Sequence, residues 1–174
     1  MFNNQNYGCL MLAIDPKLGK NIIKFGKTIV PEKHLYTNKL EDINGYDLDP
    51  HITLKYGFTS DLTDDHVKHI IDCMNENKGK TKLLLGISGI SCFECKNHDV
   101  VKFDVIKDPI LMELNHLCNQ YPHIDTQKTY HPHITIAYIK RGMFKHVIIN
   151  KNISVPITGF HYSALDNTKR YYEI

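Results

Sequence analysis

The chain has 174 residues, 42% of them hydrophobic, which suffices to bury one sizeable core and predicts one bilobal domain spanning residues 1–174. A formal charge of +2, from 21 basic and 19 acidic residues, lacks the excess of a protein that coats long nucleic acids and suits a small anionic ligand in a local pocket. Five cysteines without framework spacing point to a reducing compartment such as the cytoplasm, and no stretch is long enough to suggest a membrane span or secretion signal.

Residues 7–14 read as a buried strand. Asp15-Pro16 then offers an N-cap and a first-turn proline for a helix with apolar positions at Leu18, Ile22, Phe25 and Ile29. Residues 31–49, with Pro31, Asn38, Asn44 and Gly45, show no period and are expected to form a long loop, which in a compact domain is often functional. PHITLKYGF at 50–58 has the β-branched and aromatic content of a strand, and Asp64 to Asn77 reads as a helix with Val67, Ile70, Ile71 and Met74 inward. Lys82 to Phe93 and Val100 to Ile106 predict two strands joined by the turn-forming ECKNHD. Asp108-Pro109 repeats the earlier start signal for a helix facing inward with Leu111, Leu114, Leu117 or Cys118, and Tyr121. A second loop leads to the strand PHITIAYI, and Ile153 to Ile174 reads as a closing hairpin that covers part of a cleft.

The two halves match. Each runs strand, Asp-Pro helix, loop, then Pro-His-Ile-Thr, an aliphatic residue, any residue and Tyr, at 50–56 and 132–138. Two copies exclude a solenoid and predict a pseudo-two-fold arrangement in which equivalent residues meet across one groove. Side chains alternate along a strand, so His51 and Thr53 share a face, as do His133 and Thr135, with the intervening isoleucines inward. Cleaving a phosphodiester needs a base for the attacking oxygen and an acid for the leaving one, and imidazole can do either near neutral pH. The threonine hydroxyls suit hydrogen bonding to non-bridging oxygens rather than nucleophilic attack. Simple alternation also places Lys55 on the His51 face, where it can meet a phosphate, and Lys140 and Arg141 follow the second motif.

Carrying two His-x-Thr signatures, His51-Ile52-Thr53 and His133-Ile134-Thr135, the chain resembles the two-histidine (2H) phosphoesterase superfamily over most of its length. YHPHITIAYIKRG at 130–142 and GCLMLAID at 8–15 look most like the bacteriophage anti-CBASS nucleases, which degrade cyclic oligonucleotide signals. The resemblance implies an α+β bilobal fold, internally duplicated, with antiparallel strands lining a central cleft and helices outside. It also implies metal- and cofactor-free cleavage of nucleotide phosphodiester or cyclic phosphate bonds, in the host cytoplasm if the source is viral. His51 and His133 become the acid–base pair and Thr53 and Thr135 the phosphate holders. Which histidine is the acid stays open, as does whether water or a ribose 2′-hydroxyl attacks.

Other features are weaker. Cys92-Phe93-Glu94-Cys95 is one C-x-x-C pair with His98 behind it, where zinc would want a second pair. His131 and His133 share a face, but Thr135 stands where a carboxylate ligand would be useful. His34, His66, His69, His116, His123, His146 and His161 share no motif and are expected to be surface or satisfied core residues. Tyr7, Phe144, Tyr162, Tyr171 and Tyr172 are candidates for stacking on nucleobases if they border the cleft.

Overall fold

A computed structural model of the protein describes residues 7–41, 43–78, 82–125, 127–145, 147–148 and 153–174. In chain order it comprises β1 (Gly8–Ile14), α1 (Pro16–Ile29), the short β2 (Thr37–Asn38) and β3 (Ile43–Asn44), β4 (His51–Phe58), α2 (Asp64–Lys78), β5 (Leu84–Glu94), β6 (Asp99–Val105), α3 (Pro109–Cys118), β7 (His133–Ile139), β8 (Ile153–Ser163) and β9 (Lys169–Glu173). Both Asp-Pro signals start helices: Asp15 Oδ1 accepts from the Leu18 amide and Asp108 Oδ1 from the Ile110 amide, each at 2.9 Å. Leu111, Leu114 and Cys118 are the fully buried positions of α3, with Leu117 packed at the side.

All strand pairs are antiparallel, in the order β4-β1-β8-β5-β6-β7. The strands form one sheet, continuous through β8. Its outer stretch, Ile157 to Ser163, pairs with β1 and partly with β9, while Ile153 to Pro156 pair with β5. The helices cross over: α1 from the first half packs against β7 of the second, and α3 packs against β4. No helix among the described residues is long and apolar enough to cross a membrane.

The duplication reaches a third strand. In the first half Ala13 pairs with Gly159 and Ile14 with Ile157, skipping Thr158; in the second Asp104 pairs with Gly89 and Val105 with Ile87, skipping Ser88. Each skipped hydroxyl donates to the carbonyl opposite, Thr158 Oγ1 to Ala13 O at 3.4 Å and Ser88 Oγ to Asp104 O at 3.2 Å. The repeated unit is therefore β1-β4-β8 against β6-β7-β5.

Segment 31–49 is more ordered than its sequence suggests. Beside the β2–β3 hairpin it lies along β7, where Tyr36 N donates to Tyr138 O (3.0 Å), Tyr138 N to Gly45 O (2.7 Å) and Asp47 N to Ile136 O (3.0 Å). Elements this short carry no readable period, and their partner strand lies far along the chain. On the opposite side, β4 meets the 121–130 segment. Ile124 N donates to Gly57 O at 2.9 Å, and Gly57 holds φ +109 with a backbone carbonyl where a Cβ would sit.

Candidate active site

β4 and β7 are the two ends of the sheet order, and each carries an extra residue directly after its threonine. Leu54 falls between the pairs Met11–Thr53 and Leu10–Lys55, and Ile136 between Lys102–Thr135 and Val101–Ala137. These matching β-bulges reverse the side-chain alternation beyond the motif. Lys55 consequently pairs with the core residue Leu10, out of step with the simple alternation from Thr53, yet its side chain lines the same cleft as Thr53. Its ammonium reaches Asn119 Oδ1 at 2.8 Å and Asp125 Oδ1 at 2.7 Å at the end of α3. Backbone groups freed by the bulges find partners from the other half: Leu54 O accepts from Asn115 Nδ2 at 2.6 Å, and Ile136 O from the Asp47 amide.

The histidines are held alike. His51 Nδ1 lies 2.7 Å from Asp49 O, and His133 Nδ1 lies 2.7 Å from His131 O. A carbonyl oxygen only accepts, so Nδ1 carries the proton in both rings and Nε2 is the nitrogen left for chemistry: an acceptor when the ring is neutral, a donor when it is charged. Burial holds His133 below the ordinary histidine value; the His131 carbonyl opposes this, Lys102 and His51 add to it, and Asp104 opposes it. His51 lies close enough to act on the charge states of His133, Asp47 and His161. Burial raises the Asp47 carboxyl above its usual range. Cys9 is beside Thr53, but burial pushes its thiol up to about 12, so it is no thiolate at neutral pH.

A cleft of about 920 Å³ opens between β4 and β7, with Thr53, Thr135 and His133 in its wall. His51 is outside that lining. Its side chain shares the Thr53 face, toward β8, where His161 pairs with Met11. The aromatic lining is Tyr56, Phe93, Tyr130 and Tyr138, a set that differs from the sequence candidates. Tyr7 packs edge-on against Tyr56, with centroids 6.0 Å apart. Tyr162 is 0% exposed and cannot stack on a base; its hydroxyl donates to Asp61 Oδ1 and accepts from the Leu62 amide. Tyr172 donates to Asp64 Oδ1, Phe144 lines a separate small pocket beside Ile29, and Arg141 is exposed in the turn after β7, outside the cleft lining. Tyr171 is exposed and meets His161 edge-on at 5.0 Å. His161 thus joins the site's neighbourhood, contrary to its expected role as a bystander; His146 lies outside the described residues.

Cys92, Cys95 and His98 do not converge, and among the described residues no three His, Cys, Asp or Glu side chains form a metal-ligand group. His98 instead stacks on Tyr36 at 5.0 Å.

A family model, described as the 2′-5′ RNA ligase superfamily, matches residues 30–142, more than half of the chain and both His-x-Thr motifs. The chain belongs to the 2′-5′ RNA ligase superfamily. No curated protein sequence matches it. Solved structures share the superfamily fold at low identity. LigT from E. coli in complex with 3′-AMP has a TM-score of 0.58 at 13% identity, covering 97% of this chain and 95% of that one. TT0787 of Thermus thermophilus gives 0.56 at 11%, covering 97% and 94%. Usb1 of Kluyveromyces marxianus gives 0.57 at 8%, covering 98% and 99%. In this member of the superfamily the α+β architecture, an antiparallel sheet flanked by helices, is the one its two motifs imply.

Proposed function

We propose that this protein is a metal-independent phosphodiesterase in which His51 and His133 are the acid–base pair and Thr53 and Thr135 hold the scissile phosphate. We further propose that its substrates are cyclic di- or trinucleotide signals, whose cleavage would counter host CBASS immunity on behalf of a bacteriophage. The observation that carries the chemistry is the matched pair of rings, each held through Nδ1 to the carbonyl two residues before it, on the strand face it shares with a threonine. One neutral Nε2 takes the proton from the attacking oxygen, of water or of a ribose 2′-hydroxyl, as that oxygen bonds to phosphorus. The ester bond breaks with its electron pair on the leaving oxygen, which takes the proton of the other, charged ring. The two rings end with their protonation states exchanged and return through solvent. The threonine hydroxyls donate to the non-bridging oxygens, where negative charge grows.

A cleft of about 920 Å³ is near the upper end of the ~300–1,000 Å³ usual for small-ligand sites, which suits an oligonucleotide of two or three units over a mononucleotide. A second reading keeps the chemistry and changes the substrate to 2′-5′ oligoadenylate, an RNA end or a 2′,3′-cyclic phosphate. The superfamily description favours it, as do the E. coli LigT structures with 3′-AMP and NADP+.

The test is incubation in EDTA with cyclic di- and trinucleotides, 2′-5′ oligoadenylate and a 2′,3′-cyclic phosphate, with products resolved by chromatography. Cleavage should fall by about 10²-fold or more in His51→Ala and in His133→Ala. Persistence of full activity in both variants overturns the acid–base assignment. Cleavage of the linear or 2′,3′-cyclic substrates alone selects the second reading, and tight binding with every ligand recovered intact makes the protein a nucleotide sponge.

A further inference from the structure

The duplication is broken at three positions beneath the motifs. On the site face of the first half, Thr53 pairs with Met11 and Met11 with His161, while His51 pairs with Ala13. At the matching places of the second half, Thr135 pairs with Lys102 and Lys102 with Ser91, while His133 pairs with Asp104. An apolar Met-Ala pair faces a Lys-Asp pair across the pseudo-two-fold.

Lys102 is 5% exposed, deep for a lysine, and is fully engaged. Its ammonium bonds the Asp104 carboxylate and lies 2.7 Å from Ser91 Oγ, and Ser91 Oγ lies 2.9 Å from the same carboxylate. The charge also sits 4.2 Å from the centroid of the Phe93 ring, and Phe93 meets His133 at 5.0 Å in a T-shaped contact. A buried cation beneath an imidazole, joined to it through the Phe93 ring, disfavours a second positive charge on that ring. Met11, at the equivalent place in the first half, carries no charge.

We propose that Lys102 is a positioning residue that makes the two halves of the site chemically unequal, holding His133 neutral as the general base and leaving His51 to serve as the acid. This rests on the acid–base reading above. Burial acts most strongly on His133, followed by the His131 carbonyl, Lys102 from β6, His51 from β4 and Asp104 from β6; Phe93 from β5 adds only its ring. Lys102 and Asp104 act in opposite senses, which yields a test that a purely structural role would not mimic.

The experiment is NMR titration of the His133 ring in substrate-free protein, alongside the pH profile of kcat/KM, for the parent, Lys102→Met, Asp104→Asn and the double variant Lys102→Met/Asp104→Ala, which copies the first half. In Lys102→Met the His133 titration and the acid limb of the profile should both move to higher pH by about half a unit or more, about a threefold loss of rate on that limb. In Asp104→Asn both should move to lower pH. The double variant should move upward by less than Lys102→Met, and it decides the matter if the single variant fails to fold. An unmoved His133 titration in the folded variants, or movement of both single variants in the same direction, overturns the proposal. Because the titration needs no turnover, it is read independently of whether His133→Ala abolishes cleavage.

Discussion

The crossing of helices between the halves makes Gly26 of α1 a sensitive place to perturb the site. A Cβ built on Gly26 would lie 2.7 Å from Ile136 Cγ2, whereas unstrained carbon pairs sit at ~3.5–4.0 Å. Cγ2 is attached to the branched carbon of a strand residue, so it cannot swing away without a change of χ1 or a shift of β7. By helix propensity alone Gly26→Ala would stabilise the protein by about 1 kcal/mol. Overpacking of a fitted core costs about 1–3 kcal/mol, so we expect the variant to be net destabilised by about 1 kcal/mol. Ile136 is the bulged residue beside Thr135, so kcat should fall as well. In an Ile136→Ala background, itself about 2–5 kcal/mol less stable, the obstructing methyl is gone and the same substitution should turn stabilising. Urea unfolding of the four proteins of this double-mutant cycle measures the coupling. Additivity, with Gly26→Ala stabilising both backgrounds equally, would refute the contact and with it the mechanical link from α1 to the bulge beside Thr135.

Other outcomes follow from the same geometry. Thr53→Val and Thr135→Val, near-isosteric on the site face, should each lower kcat by about 10²-fold while leaving the thermal midpoint within a few degrees; a pure rise in KM would place the hydroxyls in ground-state binding instead. Folded-state values of His133 and His161 lie below the ~6.5 of an unfolded chain, each chiefly through burial. Their neutrality therefore supports the fold fully above about pH 6.5, and that support is lost as pH falls through the unfolded value toward the folded ones. Urea midpoints between pH 7.5 and 5 should drop less steeply in His161→Gln than in the parent, and identical slopes would contradict this. Lys55, with a side chain 10% exposed, is paired with the 71%-exposed Asp125 carboxylate on the cleft wall. Asp125→Asn should free the ammonium for a substrate phosphate and lower KM several-fold without changing kcat, and an unchanged KM would exclude Lys55 from binding.

The histidines and threonines were legible because a period-two motif, repeated behind the same Asp-Pro start, specifies both element and face. Helix starts were legible for a local reason, since an aspartate cap and a first-turn proline act within three residues. The faces beyond the motif were not, because one extra residue at Leu54 or Ile136 inverts the alternation and leaves no compositional mark. That inversion is why Lys55 lies on the α3 side. The third repeated strand did leave a trace, Ile87-Ser88-Gly89 against Ile157-Thr158-Gly159, but three small residues carry little weight until the register aligns them. Lys102 looks like a solvated lysine in Val-Val-Lys-Phe-Asp-Val. The signal available was the Lys-x-Asp spacing, which places opposite charges on one strand face where they can be buried together.

A duplicated site has a chemical difficulty that geometry alone does not resolve. Two rings locked in the same tautomer by the same carbonyl contact at the same 2.7 Å would, with identical surroundings, have the same affinity for a proton. In-line displacement requires them to differ, one neutral toward the attacking oxygen and one charged toward the leaving oxygen. Proximity supplies part of the difference, because a charge on His51 disfavours charge on His133. Which of the two singly protonated states prevails must come from residues outside the repeat. Met11, Ala13 and His161 against Lys102, Asp104 and Ser91 are departures from the pseudo-symmetry on the face that carries both motifs. In the Lys102→Met/Asp104→Ala variant, where both halves carry an uncharged pair, the His133 titration should rise; if it does not, its burial in the cleft wall and not the ion pair beneath it decides the polarity of the reaction.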